Sequence, residues 1–167
     1  ALGCKTVCLS GGEPFLHPQI IEIVSYISKQ HLACYIYTSG IYMEDEVYSS
    51  LPNEYIELIR GMVDKIIFNV EADNSALYNQ IMGTDVGGFD LMKKSISDCV
   101  SSGLTVETHV VPMRINFNHL KSIFEMCYQL GVSKVSILRL VLQGRALENL
   151  PLVKLSSEDN REVTKMI

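Results

Sequence analysis

Short β-rich runs alternating with helical patterns constrain this chain more than any other feature. The runs are Thr6–Leu9, Ala33–Tyr37, Lys65–Val70, Thr105–Val111 and Lys134–Leu140. Between them apolar residues recur at helical spacing: first Ile20, Ile23, Val24 and Ile27, then Met92, Ile96, Cys99 and Val100, then Leu120, Ile123, Phe124, Cys127 and Leu130. Gly103 and Gly131 are placed to stop the last two helices. Further helices are predicted around Tyr55–Arg60, over Asn74–Met82, and from Ser156-Ser157-Glu158-Asp159, with Ser156 or Ser157 as N-cap. The polar stretch from Met43 to Asn53 reads as a connection. Such alternation implies parallel strands joined by right-handed crossovers. The strands are apolar at most positions, as expected when both faces are covered. An open doubly wound sheet and part of a βα barrel both satisfy the pattern, and periodicity leaves both open. The 167 residues fit one domain, 1–167, whose tail from about residue 147 leaves the sheet.

Charge and composition narrow the function classes. The net charge of −5 gives no footprint for nucleic acid, which is bound through clustered Lys and Arg. No apolar run approaches the ~20 residues that cross a bilayer, so a cytoplasmic location is expected and no membrane role. The five cysteines are odd in number and widely spaced, which argues for reduced thiols rather than a disulfide framework. Cys34, Cys99 and Cys127 sit inside apolar patterns and read as core filling. Cys4 and Cys8 lie on or beside the first strand and read as core thiols as well.

In either architecture ligands gather at the carboxyl ends of the strands. Here those ends carry Ser10-Gly11-Gly12-Glu13-Pro14, Thr38-Ser39-Gly40, Asn69-Val70-Glu71, Thr108-His109 and Arg139. The first is the most informative. Two glycines after a strand let backbone approach a ligand and expose its peptide groups. Glu13 sets a carboxylate beside those carbonyls, and Pro14 stiffens the exit. Clustered acceptors suit an ammonium group. A phosphate would want N–H donors or a lysine, and none follows.

Ser10-Gly11-Gly12-Glu13-Pro14 after a short first strand resembles the Gly-Gly-Glu-Pro motif with which radical S-adenosylmethionine (radical SAM) enzymes hold the amino group of their cofactor. The likeness continues in order. Thr38-Ser39-Gly40 resembles the family's Thr-Asn-Gly, and Phe68-Asn69-Val70-Glu71 its Val-Ser-Leu-Asp. Leu77–Gly83 followed by Gly88-Phe89-Asp90 resembles Tyr-Asp-x-Ile-Arg-Gly and Gly-Ser-Phe-Asp. Leu138-Arg139-Leu140 and Gln143-Gly144-Arg145-Ala146 resemble the sixth strand and the Pro-x-Gly-Arg-Ala after it. The resemblance implies a partial (β/α)6 barrel lacking its first βα unit. It also implies two cofactors, S-adenosylmethionine and a [4Fe-4S] cluster, which together yield a 5′-deoxyadenosyl radical that abstracts hydrogen from a substrate.

There are departures. The family's Cys-x3-Cys-x2-Cys lies upstream of this motif. Cys4 and Cys8 have its first spacing, but the third ligand would fall on Gly11, so the cluster ligands are expected outside this chain. Met82 stands where the family has arginine, and Glu71 and Asn69 replace Asp and Ser. Taken alone, the chain is expected to be inactive and iron-free, with an unpaired edge at Thr6–Leu9 that invites dimerisation. The complete enzyme is expected to need a reductant. Its substrate is unnamed by the sequence, with Gln143–Ala146 leaning toward a peptide or protein.

The residues implied to bind cofactor are Ser10, Gly11, Gly12, Glu13, Pro14, Thr38, Ser39, Asn69, Glu71, His109 and Arg139. Each has a structural reading beside the functional one. Glu13 could answer a helix dipole, Thr38 and Ser39 could cap a strand end, and His109 could be a satisfied core histidine. Asn69 and Glu71 share one strand face and are costly to bury unpartnered. Arg139, if buried, needs an anion, either the cofactor or Glu71 or Glu107. His17 reads as structural, and His31 and His119 as surface residues. Two other classes remain in view: a phosphate-binding barrel enzyme using Gly11-Gly12, and a degenerate barrel that only binds a partner.

Overall fold

The structure is a computed structural model that describes residues 3–166. The strands are β1 (Thr6–Leu9), β2 (Ala33–Thr38), β3 (Ile41–Glu44), β4 (Val47–Ser50), β5 (Lys65–Asn69), β6 (Val106–Val110) and β7 (Lys134–Ile137). The helices are α1 (Ile20–Lys29), α2 (Asn53–Ile59), α3 (Ser75–Met82), α4 (Gly88–Ser101), α5 (Leu120–Gln129), α6 (Arg145–Glu148), α7 (Leu150–Val153) and α8 (Ser157–Met166). Short 3-10 turns occupy Pro14–Leu16 and Phe117–His119. Among the described residues no helix is long and apolar enough to cross a membrane.

Five strands form one sheet in the order β1-β2-β5-β6-β7, and every pairing in it is parallel. Each new strand of this sheet adds on the same side of the one before. With right-handed crossovers, that order sends every connecting helix to one face. The packing agrees. Cys34, Ile36, Ile66, Phe68, Val106 and Val110 share one cluster with Val24, Ile56, Met92, Ile96, Leu120 and Ile123 from the helices. A doubly wound sheet would divide its helices between two faces. This is the arc of a βα barrel, which resolves the choice that periodicity left open.

The expectation that both faces are covered is therefore corrected. Register places Cys8, Tyr35 and Lys65 side by side, then Tyr37, Ile67, Glu107 and Lys134, then Asn69, His109 and Ser136, all on the face away from the helices. Cys8, Asn69 and Lys134 are exposed there. Cys4 and Cys8 are likewise exposed rather than core thiols, because β1 is an edge strand and Cys8 points to the open face. Cys34, Cys99 and Cys127 are sealed at 0% exposure.

A second correction concerns the stretch from Met43 to Asn53. β3 and β4 pair there as an antiparallel hairpin. Its turn puts Asp45 and Glu46 at φ +48° and +64°, a conformation usually signalled by Asn-Gly or Asp-Gly. The hairpin is anchored through Ser95 of α4, whose Oγ accepts from Leu51 N at 2.8 Å and donates to Gly40 O at 2.6 Å. Gly40 has φ +75°, and a Cβ there would lie 2.7 Å from the Phe68 ring, so only glycine fits this turn. At the far end, residues 114 and 115 donate backbone hydrogen bonds to Val153 and Leu152. Ser156 caps α8: its Oγ accepts from Asp159 N, and Asp159 Oδ2 accepts from Ser156 N, which is a capping box with Asp in the third position.

Candidate functional site

β1 gives out at Ser10, and the chain turns through Gly11 and Gly12 at φ +98° and +23°. Both are exposed, with open space where a Cβ would stand. Their peptide groups are approachable from solvent. Pro14 then starts the 3-10 turn and is buried.

Glu13 is the centre of a local network. Its Oε1 accepts from Thr38 Oγ1 at 2.7 Å and from Phe15 N at 3.3 Å. Its Oε2 accepts from Ser39 Oγ at 2.6 Å and Ser39 N at 2.8 Å. A carboxylate has about four acceptor sites, and protein donors take them all. Glu13 thus staples the exit of β1 to the exit of β2 and caps the 3-10 turn. Thr38 also accepts from Gly40 N at 2.9 Å, and Ser39 Oγ from Ile41 N at 3.2 Å. An ammonium ligand here would be left with the peptide carbonyls of Gly11 and Gly12.

On the next strands Asn69 is exposed, and Glu71, two residues on, is 8% exposed. Burial pushes the Glu71 carboxyl up to about 7, opposed by a hydrogen bond from Val111 N at 2.8 Å. His109 lies against the Tyr37 ring with centroids 5.4 Å apart. Burial lowers its pKa, with Glu107 pulling the other way, so the imidazole is neutral at neutral pH. Deeper on the same face Lys65 Nζ meets Glu107 Oε1 at 2.8 Å and lies 4.4 Å over the Tyr35 ring. The Glu107 bond raises the Lys65 pKa.

The structure thus joins Glu13, Thr38 and Ser39 directly, and sets Asn69 beside His109 on one face. Arg139 is corrected. β7 ends at Ile137, and Arg139 is exposed beyond it. It lines a groove of about 660 Å³ with Leu140, Leu142, Lys154 and Val163. Glu107, one suggested partner, is taken by Lys65. His119, expected at the surface, is half-buried and sits 2.8 Å from Asp73. His17 Nδ1 accepts from Gln19 N at 3.2 Å. The sequence reading missed Tyr35, Tyr37 and Lys65, and named Glu107 only as a partner for Arg139. Their signal was the alternation of Tyr35 and Tyr37 with Cys34 and Ile36.

Fit to an iron–sulfur cluster can be judged from the thiols. Among the described residues no three His, Cys, Asp or Glu side chains gather as a metal site. Burial raises the thiols of Cys34 to about 11 and Cys99 to about 12, and that of Cys127 in the same direction. The thiolate is the metal ligand, so the described residues do not fit a cluster. The exposed turn of small residues, with open space beside Gly11 and Gly12, does fit an amino-acid ammonium.

Against known proteins, residues 1–144 match the family model described as "Radical SAM superfamily". An AdoMet-dependent heme synthase of Oleidesulfovibrio alaskensis is 21% identical over 147 residues, covering 88% of this chain and 36% of that protein. The PqqA peptide cyclase of Gluconobacter oxydans is 25% identical over 167 residues, covering 99% and 44%. The chain thus spans less than half the length of these curated relatives. Among solved structures, Streptococcus suis SuiB bound to S-adenosylmethionine superimposes with a TM-score of 0.71 at 14% identity, covering 97% of this chain and 36% of that one. SuiB bound to precursor peptide SuiA gives 0.72, covering 97% and 35%.

Proposed function

Because this chain belongs to the radical SAM superfamily, we propose that it is the part of a radical SAM enzyme whose open sheet face receives S-adenosylmethionine. One observation carries this reading. The open face runs from the Lys65–Glu107 pair up through Tyr37, Asn69 and His109, and at its carboxyl-end rim stand two exposed glycines with open space where a side chain would be. The carbonyls of Gly11 and Gly12 accept the ligand's ammonium. Ser10, Pro14 and Glu13 shape that turn, and Glu13 acts through Thr38 and Ser39 by holding β2's exit against it. Asn69 and Glu71 offer hydrogen bonds to hydroxyl groups. The exposed guanidinium of Arg139, beyond the end of β7, meets the ligand's carboxylate. His109, uncharged, presents one donor and one acceptor.

S-adenosylmethionine, held at this rim beside a [4Fe-4S] cluster carried elsewhere, would supply radical hydrogen-abstraction chemistry. We place the cluster's thiolates outside this chain, and the reductant is another protein or small molecule. The protein's part is to hold, orient and shield. For the substrate we propose a peptide. The likeness to PqqA peptide cyclase over nearly the whole chain supports this. So does the chemistry of the open face, where Lys65 is paired with Glu107, and Asn69 and His109 side by side offer hydrogen-bonding groups suited to amides.

Calorimetry on the complete protein tests the reading. S-adenosylmethionine should bind and a sugar phosphate should not, and Glu13→Ala should weaken S-adenosylmethionine at least tenfold by releasing Ser39 and the glycine turn. Unchanged affinity in that variant would remove the rim from the site.

A further inference from the structure

The loops leaving β5 and β6 are tied together by one side chain that the sequence did not single out. Asn116 is 0% exposed. Its amide nitrogen donates to Glu71 O at 3.0 Å and to Val111 O at 3.1 Å, and its amide oxygen accepts from Met113 N at 2.7 Å. The Met113 bond is an ordinary local loop bond. The two donated bonds are different, because they reach carbonyls on separate rim loops, one of them 45 residues away in sequence. Those two carbonyls belong to the residues that meet in a further contact, Val111 N donating to Glu71 Oε2 at 2.8 Å. One amide therefore holds both ends of that hydrogen bond. A second tie lies beside it: His119 Nδ1 sits 2.8 Å from Asp73 Oδ1, and His119 N donates to Asn116 O at 2.9 Å.

We infer that Asn116 is a positioning residue for Glu71: it fixes the Val111 N–H against the Glu71 carboxylate and so sets that carboxylate at the rim of the open face. Its importance for ligand binding rests on the reading of that rim given above, whereas the clamp itself does not. Asparagine is the side chain that can do this. Aspartate has no donor, serine has one, and glutamine is a methylene longer in a space with no room. The consequence is specific. Burial opposes the Glu71 charge, and the Val111 N–H is the contact that favours it. Loosening the clamp weakens that contact. The other titratable groups of this region are His109 on β6, Asp73 beyond β5, and His119 before α5.

The test is a carbon-13 NMR titration of the glutamate carboxyls in the chain without cofactor, alongside its melting temperature. In Asn116→Ala the Glu71 midpoint should rise by about one pH unit. Asn116→Ser, which keeps one donor, should give a smaller rise. A lower melting temperature with the Glu71 midpoint unmoved would reduce Asn116 to a structural loop residue. Failure of both variants to fold would make it a fold determinant and equally overturn the inference. S-adenosylmethionine affinity of the complete protein, measured in the same variants, separates the two claims. A moved midpoint with unchanged affinity would sink Glu71 as a site residue and leave the clamp standing.

Discussion

On one side of the sheet Cys34, Ile36, Ile66, Phe68, Val106 and Val110 are sealed under helices, each at 1% exposure or less. On the other, Tyr35, Tyr37, Lys65, Asn69, Glu107 and His109 stand one residue out of step on the same strands and look into the arc. The first set has no polar atom to satisfy, and its worth lies in area removed from water. The second keeps donors and acceptors within reach of solvent, paired only in part. A scaffold and a site thus share each strand, and the two-residue period of the backbone keeps them apart. Changes on the covered face should register in stability, and changes on the open face in binding.

The largest contrast should come from Phe68 against Asn69. Phe68→Ala should cost about 3–5 kcal/mol in urea unfolding by opening a cavity in the core. Asn69→Ala, at the next position, should stay within about 0.5 kcal/mol. Similar losses at both would mean that the open face is as much core as the covered one.

Glu71 stands apart from both sets, since it lies just past the end of β5 and is a buried carboxyl. Its pKa is raised from an ordinary 4.5 to about 7, so folding favours the protonated form. The stability it allows is complete below about pH 4.5 and lost as pH rises through about 7. Glu71→Gln should therefore stabilise the chain at pH 8 by up to about 3 kcal/mol and make little difference at pH 4. Chemical denaturation at the two pH values reads this directly, and a constant difference would contradict the assignment.

Smaller effects probe the polar contacts. Glu107→Gln leaves Lys65 half-buried beside Tyr35 without its counter-charge and should cost about 1–2 kcal/mol, with the Lys65 pKa falling toward its ordinary value. Thr38→Val removes one of the four donors on Glu13 and should cost about 1 kcal/mol. Because the glycine turn leans on that network, its backbone amide exchange should quicken more than that of α4. Uniform quickening would show that the staple serves global stability rather than the rim.

Much of this was legible in the chain itself. The β-branched runs located all five parallel strands, and the spacing of Met92, Ile96 and Cys99 located α4, because those signals are local. The arc was not legible from them, since tyrosine counts as apolar in a periodicity and Tyr35 and Tyr37 made β2 look buried on both sides. The hairpin was hidden because Asp45-Glu46 makes a turn without glycine. Arg139 was placed one element too early because Leu138 to Leu142 continues the apolar run past the point where pairing stops. Lys65–Glu107 and Asn116–Glu71 join residues 42 and 45 positions apart, contacts that only the strand order creates. Asn69 closes β5, so the strand period that put Glu71 on its face ends before Glu71 is reached.

The central claim is that the rim of the open face holds the ligand. A crystal structure of the complete, cluster-reconstituted protein with S-adenosylmethionine tests it most directly. The account predicts the ligand's amino group within about 3 Å of the Gly11 or Gly12 carbonyl oxygen, with Asn69 and Glu71 beside its hydroxyls. A ligand bound at either outer edge of the sheet or among the helices, with the Gly11–Gly12 turn still facing solvent, would contradict it.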